Sequence, residues 1–339
     1  MAEASIPVDL FNPGQVFACL GFMEAAEILL GDAEGGFDWS DETNVRFKLR
    51  AAGDRNPFEA VLEFLAEADP QRWGPIGYVD PPPKKKKGKG ADEEDAADEE
   101  ADDDDDDSQE TDVNSAATSS PAAPSLDLCE TFGARVGDKM SLPIRFGGGN
   151  RPVVELGHWA DGSSRESFKL YAGNRSAHSI AKGMLLGVRA KPSKKQKAEG
   201  IPGEPKFKGI RQLWEEQHDA LVNAPLDTLT PMGGSFNFDP RGAWTAIDAG
   251  YSPNKQKHPV NASPVVEFLA AWGLEHARPD EFETRRVRYA VWGQLLPPLL
   301  ARAAVAGGVP TIPLRRFEFE LDLSGKNKVV TFAQEEAAP

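Results

Sequence analysis

Apolar positions in the first eighty residues change period several times. Residues 6–12 (IPVDLFN) predict a short strand. Val16, Phe17, Leu20, Met23, Ala26 and Ile28 or Leu29 then recur at helical spacing. Asn12 is suited to cap that helix, Pro13 to its first position and Gly31 to its end. Gly35-Gly36 reads as a turn. Val45, Phe47 and Leu49 alternate as a strand that pairs with Phe37 and Trp39. Asn56-Pro57 opens a second helix, with Phe58, Val61, Leu62, Phe64 and Leu65 turned inward. The succession β-α-β-β-α is that of a ferredoxin-like or RRM-type layer.

The pattern resumes beyond residue 125. Alternation around Pro152–Glu155 and Ser167–Tyr171 predicts two strands, with Asp161-Gly162-Ser163-Ser164 as the turn between them. Gly209–Val222 reads as a helix through Ile210, Leu213, Trp214, His218 and Leu221. Ser235–Phe238 alternates like a strand before an Asp239-Pro240-Arg241-Gly242 turn. Pro264–Leu274 is a nearly all-apolar helix. Phe282–Ala306 contains another, with Arg285, Arg286 and Arg288 on one side and Val291, Trp292, Leu295 and Leu296 on the other. Pro297-Pro298 should kink or break it. Phe317–Leu323 alternates as a closing strand. The expected class is α+β: a ferredoxin/RRM-like opening and a further mixed α/β region, interrupted by an acidic insertion. The expected segments are 1–80, 81–125 and 126–334, the last separate from the first or one fold with it.

Composition changes the picture in the middle segment. Its apolar side chains are too few to offset the entropy of ordering, so disorder is expected there. Between Lys84 and Asp112 stand five lysines and fifteen carboxylates, a balance of −10 out of a net −16. Arg145 to Arg211 carries fourteen cations and five carboxylates. A basic face with a detached acidic arm fits these sums, and the local field is what a polyanion meets, because salt screens charges beyond about 8–10 Å. The arm reads as a solubilising linker or as a competitor for the basic face. With no apolar run of 18 residues, no basic leader and no signal core, no membrane span and a cytoplasmic location are expected.

The basic stretch supplies the candidate chemistry. Arg145, Arg151, Lys169, Asn174, Arg175, His178 and Lys182 are interleaved with Phe146, Trp159, Phe168 and Tyr171. Cations for a phosphate backbone among rings for bases suit single-strand binding, with Tyr171 as the base platform. A plain hairpin with solvated charges reads equally from the same residues. Lys191–Lys208 is a lysine-rich loop suited to backbone contact. Asn254, Lys255, Gln256 and Lys257 form a polar finger whose donors and acceptors suit base edges in a groove.

Signatures of catalysis are missing. No P-loop, dinucleotide fingerprint, HExxH or GxSxG occurs. The five histidines are scattered, and Cys19 and Cys129 have no CxxC spacing, so no metal, cofactor or disulfide framework is expected. Trp272, Trp292 and Leu295 read as core. His178 is the single candidate for acid–base work on RNA.

Three segments carry a resemblance. SIPVDLFNPGQVFACLGFMEAAEILLG, GGSFNFDPRGAWTAIDAGYS and PVVEFLAAWGLEHARP are similar to the small large-subunit-type proteins of type I-U (I-G) CRISPR systems. The likeness covers both flanks of the acidic tract, although the tract itself is not a family feature. It implies a non-catalytic subunit of a Cascade-type RNA-guided surveillance complex. Its implied partners are guide RNA, PAM-side target DNA, RAMP-fold subunits and a recruited helicase-nuclease, with antiviral defence as the purpose. Rival expectations are a RAMP-type backbone subunit, a guide-RNA-processing endonuclease using His178, and an adaptor that touches no nucleic acid.

Overall fold

The computed structural model describes residues 1–75, 129–132, 142–159, 168–171, 176–190, 192, 203, 205–232, 234–242, 260–309, 311–324 and 327–337. These residues build a mixed α+β fold of seven α-helices and several small antiparallel sheets. The opening runs β1 (Ala2–Pro7), α1 (Pro13–Leu29), β2 (Glu34–Asp38), β3 (Arg46–Ala51), α2 (Pro57–Glu67) and β4 (Gln71–Pro75). Asn12 caps α1 by accepting the Gln15 N–H, and Asn56 caps α2 by accepting that of Phe58. Gly31, at φ +80°, ends the first helix. Gly35 and Gly36 lie inside β2 rather than in a turn, and Phe37 faces Phe47 across the pair. The sheet order is β1-β3-β2. β4 does not join it.

Instead β4 lies in a second sheet of order β5-β4-β6-β7, with β5 at Cys129–Phe132, β6 at Ile144–Gly148 and β7 at Arg151–Leu156. Pro75 and Cys129 are register partners, so the chain leaves and re-enters the described fold at one point across residues 76–128. The hairpin of the basic stretch is therefore β6–β7, not the pair expected from Pro152–Glu155 and Ser167–Tyr171. Phe168 stands at φ +52°, which ends any extended run there, and the proposed turn at 161–164 lies outside the described residues.

Next come α3 (Ala177–Leu186), β8 (Val188–Arg189), β9 (Pro205–Phe207), α4 (Ile210–Glu216) and α5 (His218–Asn223). β10 (Thr230–Pro231) pairs with β11 (Asn261–Ala262), and α6 spans Pro264–His276. Ser235–Phe238 forms no strand, because Asn237 sits at φ +68°. The C-terminal sheet holds β12 (Asp280–Glu283), β13 (Arg286–Trp292), β14 (Leu314–Ser324), β15 (Asn327–Val330) and β16 (Gln334–Glu335), with α7 (Pro298–Val305) between β13 and β14. The helix expected within 282–306, with Arg285 to Leu296 on its two sides, is thus replaced by strands over that part, and a short helix follows at Pro298–Val305. Val287, Tyr289 and Val291 are buried, while Arg286 and Arg288 stay half-exposed, which is period two rather than 3.6. Pro297-Pro298 starts α7 instead of breaking a longer helix.

The helices α1 and α6 form the centre, both buried on nearly every face. They touch backbone to backbone: a Cβ on Gly21 would lie 2.0 Å from the Leu269 carbonyl oxygen. Aromatics then fill outward, with Phe17 against Tyr289 and Phe319, Phe37 against Trp292, and Trp272 against Phe64 and Phe146. One hydrophobic cluster runs from Ile6 to Ala333, so both flanks of the acidic tract share a core. Among the described residues, no helix is long and apolar enough to cross a membrane.

Candidate nucleic-acid interface

The C-terminal end of α2 collects two of the described cations of the basic stretch, Arg151 and Arg211. A helix end leaves carbonyls without partners and carries partial negative charge. α2 has no basic residue in its own last turn, and the cation comes from α4. Arg211 donates from Nε to the Ala66 carbonyl at 2.7 Å and from Nη2 to those of Ala68 and Glu67 at 3.1 and 3.3 Å. Arg151, at the start of β7, meets Glu67 at 2.7 Å and Glu63 at 3.8 Å. Its place is set by the β6–β7 bend, where Gly147 takes φ +86° and a Cβ would lie 2.0 Å from the Pro152 oxygen.

Just beyond, His178 places Nε2 2.8 Å from the carbonyl of Pro70. A carbonyl only accepts, so Nε2 carries the proton and Nδ1 is the bare nitrogen. Burial lowers the imidazole pKa below its usual value, and Lys182 and Arg72 add to the effect, so the ring is neutral. Arg145 on β6 stacks over the Trp73 ring at 4.2 Å and pairs with its register partner Glu155 at 3.5 Å.

Arg145, Arg151 and His178 are therefore brought together around α2 and β4, but they are used internally. Lys169 is half-buried, 5.3 Å from the Tyr171 ring. Tyr171 is 6% exposed, edge-on to Trp159 and Phe236. It is core in this fold and does not offer a base platform. Phe146, Trp159 and Phe168 are likewise buried. Lys182, on α3, is exposed. Asn174, Arg175, Asn254, Lys255, Gln256 and Lys257 lie outside the described residues.

The cationic surface that remains sits where α3 ends. Lys182 is one turn before the helix terminus, Arg189 is on β8 just past it, and Lys206 is on β9 next to Arg189's register partner Pro205. All three are exposed, and among the described residues no carboxylate pairs with them within 4.0 Å. The β8–β9 connection adds Lys191, Lys194, Lys195 and Lys197 by sequence, against Glu199 and Glu204. Gln212 fixes the base of this hairpin: its Nε2 donates to the Leu186 carbonyl and its Oε1 accepts the Gly209 N–H, both at 2.8 Å.

A second polar cluster escaped the reading of the sequence. Asp239 and Glu267 are both 1% exposed. Asp239 accepts from Asn12 Nδ2, the Ser263 N–H and the Arg241 guanidinium, which also holds Asp227 at 3.0 Å. Glu267 accepts the N–H groups of Asp239 and Phe238 at 2.8 and 3.3 Å. Burial pushes its carboxyl up to about 8, with the Asp239 charge acting the same way. The cluster pins residues 237–242 to the starts of α1 and α6, which is a structural task. A lone carboxylate inside PVVEFLAAWGL was the available signal. Among the described residues no group of three His, Cys, Asp or Glu is placed to hold a metal. Comparison with family models, with curated proteins and with solved structures gave no match.

Proposed function

We propose that this chain is a non-catalytic subunit of a type I-U CRISPR RNA-guided surveillance complex, lying against guide RNA, PAM-side target DNA or both. RAMP-fold subunits and a recruited helicase-nuclease are its proposed partners. The observation that carries the nucleic-acid part is the set of exposed cations Lys182, Arg189 and Lys206, without carboxylate partners among the described residues, at the root of a connection that is lysine-rich in sequence. It stands on a chain whose acid surplus is concentrated at 92–112. The CRISPR part rests on the sequence resemblance, whose segments supply β1, α1, the Asp239 cluster and α6. Those are framework positions, so they support kinship of fold more than a shared site.

The order β1-β3-β2 with α1 and α2 favours a second reading, a RAMP-type backbone subunit, while the departure of β4 weighs against it. The burial of His178 and its bond to the Pro70 carbonyl weigh against the guide-processing form. The test is co-purification with the products of the neighbouring genes, followed by residue-level crosslinking to guide and target. One copy per complex with crosslinks in 177–208 is expected. Many copies along the guide favour the backbone reading, and assembly without any nucleic-acid crosslink defeats both.

A further inference from the structure

We infer that the edge of β14 now covered by residues 334–337 is a docking site for an extended acidic segment of another protein, and that those residues stand in that segment's place. β14 pairs along one edge with β13, and residues 327–336 run back along the other. The return comes in two pieces. β15 is anchored, with Val329 and Val330 buried. The ladder then breaks. The Thr331 hydroxyl accepts the Glu320 N–H at 3.2 Å and donates to the Glu320 carbonyl at 2.9 Å. Phe332 turns outward, 51% exposed, and the Ala333 N–H leaves the ladder for the Phe11 carbonyl at 2.8 Å.

Beyond Ala333, β16 is held differently. Gln334, Glu335 and Ala337 are exposed and Glu336 is half-exposed. The grip consists of backbone pairing with Phe317 and Glu318, a bond from the Glu336 N–H to the Arg316 carbonyl, and two carboxylates. Successive residues of a strand point to opposite faces of the sheet. Glu335 therefore meets Arg315 beside the Phe317 ring, through both oxygens at 2.6 Å, while Glu336 meets Arg288 on the other face. Arg315 holds the Glu335 carboxyl below its usual range, so the charged form is the one bound. Arg316, which faces Glu336 across the pair, is exposed. A strand end held by backbone bonds and surface ion pairs, with no buried side chain, opens by local unfolding at far less cost than the whole chain. It uncovers a row of main-chain donors and acceptors flanked by Arg288, Arg315 and Arg316. A strand added there gains affinity through its backbone, and the arginines select two adjacent carboxylates, one for each face.

The experiment uses the full-length chain and a labelled peptide, TFAQEEA, copied from residues 331–337. By hydrogen exchange, the Glu336 amide should open at least about tenfold faster than that of Val330. Glu335→Gln with Glu336→Gln loosens the resident strand and leaves the edge intact, so the peptide should bind this variant about tenfold tighter than the parent. The peptide TFAQQQA should bind the same variant about tenfold more weakly, and adding Arg288→Gln and Arg315→Gln should erase the difference between the two peptides. Exchange at Glu336 as slow as at Val330, or no gain in peptide binding by the variant, would overturn the displacement. Equal binding of the two peptides would overturn the acidic class. A dimer of the parent in sedimentation that the Gln variant lacks would assign the edge to a second copy of the chain and overturn the partner.

Discussion

Replacing Glu267 by glutamine should stabilise the protein at neutral pH, and the effect should fade in acid. The carboxyl is buried between α6 and residues 237–242. The one guanidinium of the cluster is bound to Asp239 and Asp227, not to Glu267. Burial raises its pKa from 4.5 to about 8. The folded chain therefore keeps a proton that the unfolded chain gives up near its ordinary value. Between those two values the folded state binds more protons, so stability falls as pH rises through the window and is flat on either side. At about 1.4 kcal/mol per pH unit, the accumulated loss reaches about 4–5 kcal/mol by pH 8. Glutamine never ionises and escapes it. It keeps an oxygen for the Asp239 N–H, but turns an NH2 toward that of Phe238, a fixed cost of about 1–2 kcal/mol. Urea unfolding of both proteins from about pH 5 to about pH 9 measures the difference directly. The gap between variant and parent should widen in favour of the variant across the window and then level off. A gap independent of pH would mean that Glu267 is ionised throughout, stabilised by its two backbone donors, and the burial argument would be wrong.

Arg211→Ala should lower stability by about 1–3 kcal/mol by leaving the last carbonyls of α2 unpaired, read as a fall in thermal midpoint, with Arg211→Lys recovering only part of it. Gly21→Ala should cost at least about 1–3 kcal/mol, because the Leu269 carbonyl oxygen occupies the position of the new methyl; a neutral result in chemical denaturation would show that α1 and α6 pack farther apart. Arg302 grips Glu24 through Nε and Nη2, both at 2.7 Å, and Glu24 is buried. Arg302→Ala should cost about 3 kcal/mol by stranding that carboxylate, and adding Glu24→Gln should restore much of the loss in a double-mutant cycle.

Helix α1, α2, β3, α6 and β14 were legible because each declares itself locally, through a cap, a proline at the first position or an unbroken period. The failures share a cause. Over 282–306 the arginines and large apolar residues fit a helical wheel and an alternating strand almost equally, and pairing with β14 decided the matter. At Phe168 and Asn237 the alternation is real in the sequence, but a left-handed backbone stops the strand, and no glycine marks either place. The departure of β4 has no local sign at all: Gln71 and Arg72 leave the first layer to pair with Arg145 and Ile144.

The basic stretch was harder to read because charge says what a side chain seeks, not where it finds it. Arg151 finds Glu67 across 84 positions, His178 finds Pro70 across 108 and Arg211 finds Ala66 across 145. None of these distances in sequence is visible as a pattern. Residue type separates the two populations better than sequence position does. Of the cations drawn inward, Arg145, Arg151 and Arg211 are arginines, whose planar fork holds a carbonyl or a carboxylate in fixed geometry at small entropic cost. Of the described cations left exposed, Lys182 and Lys206 are lysines, strongly hydrated point charges with little to gain from a helix end that is already capped. Arg189 is the exception among the described arginines of the stretch, exposed beside Lys182 and Lys206, while Arg145, Arg151 and Arg211 fasten α2 and β4 in place because a guanidinium fork can hold two acceptors at once.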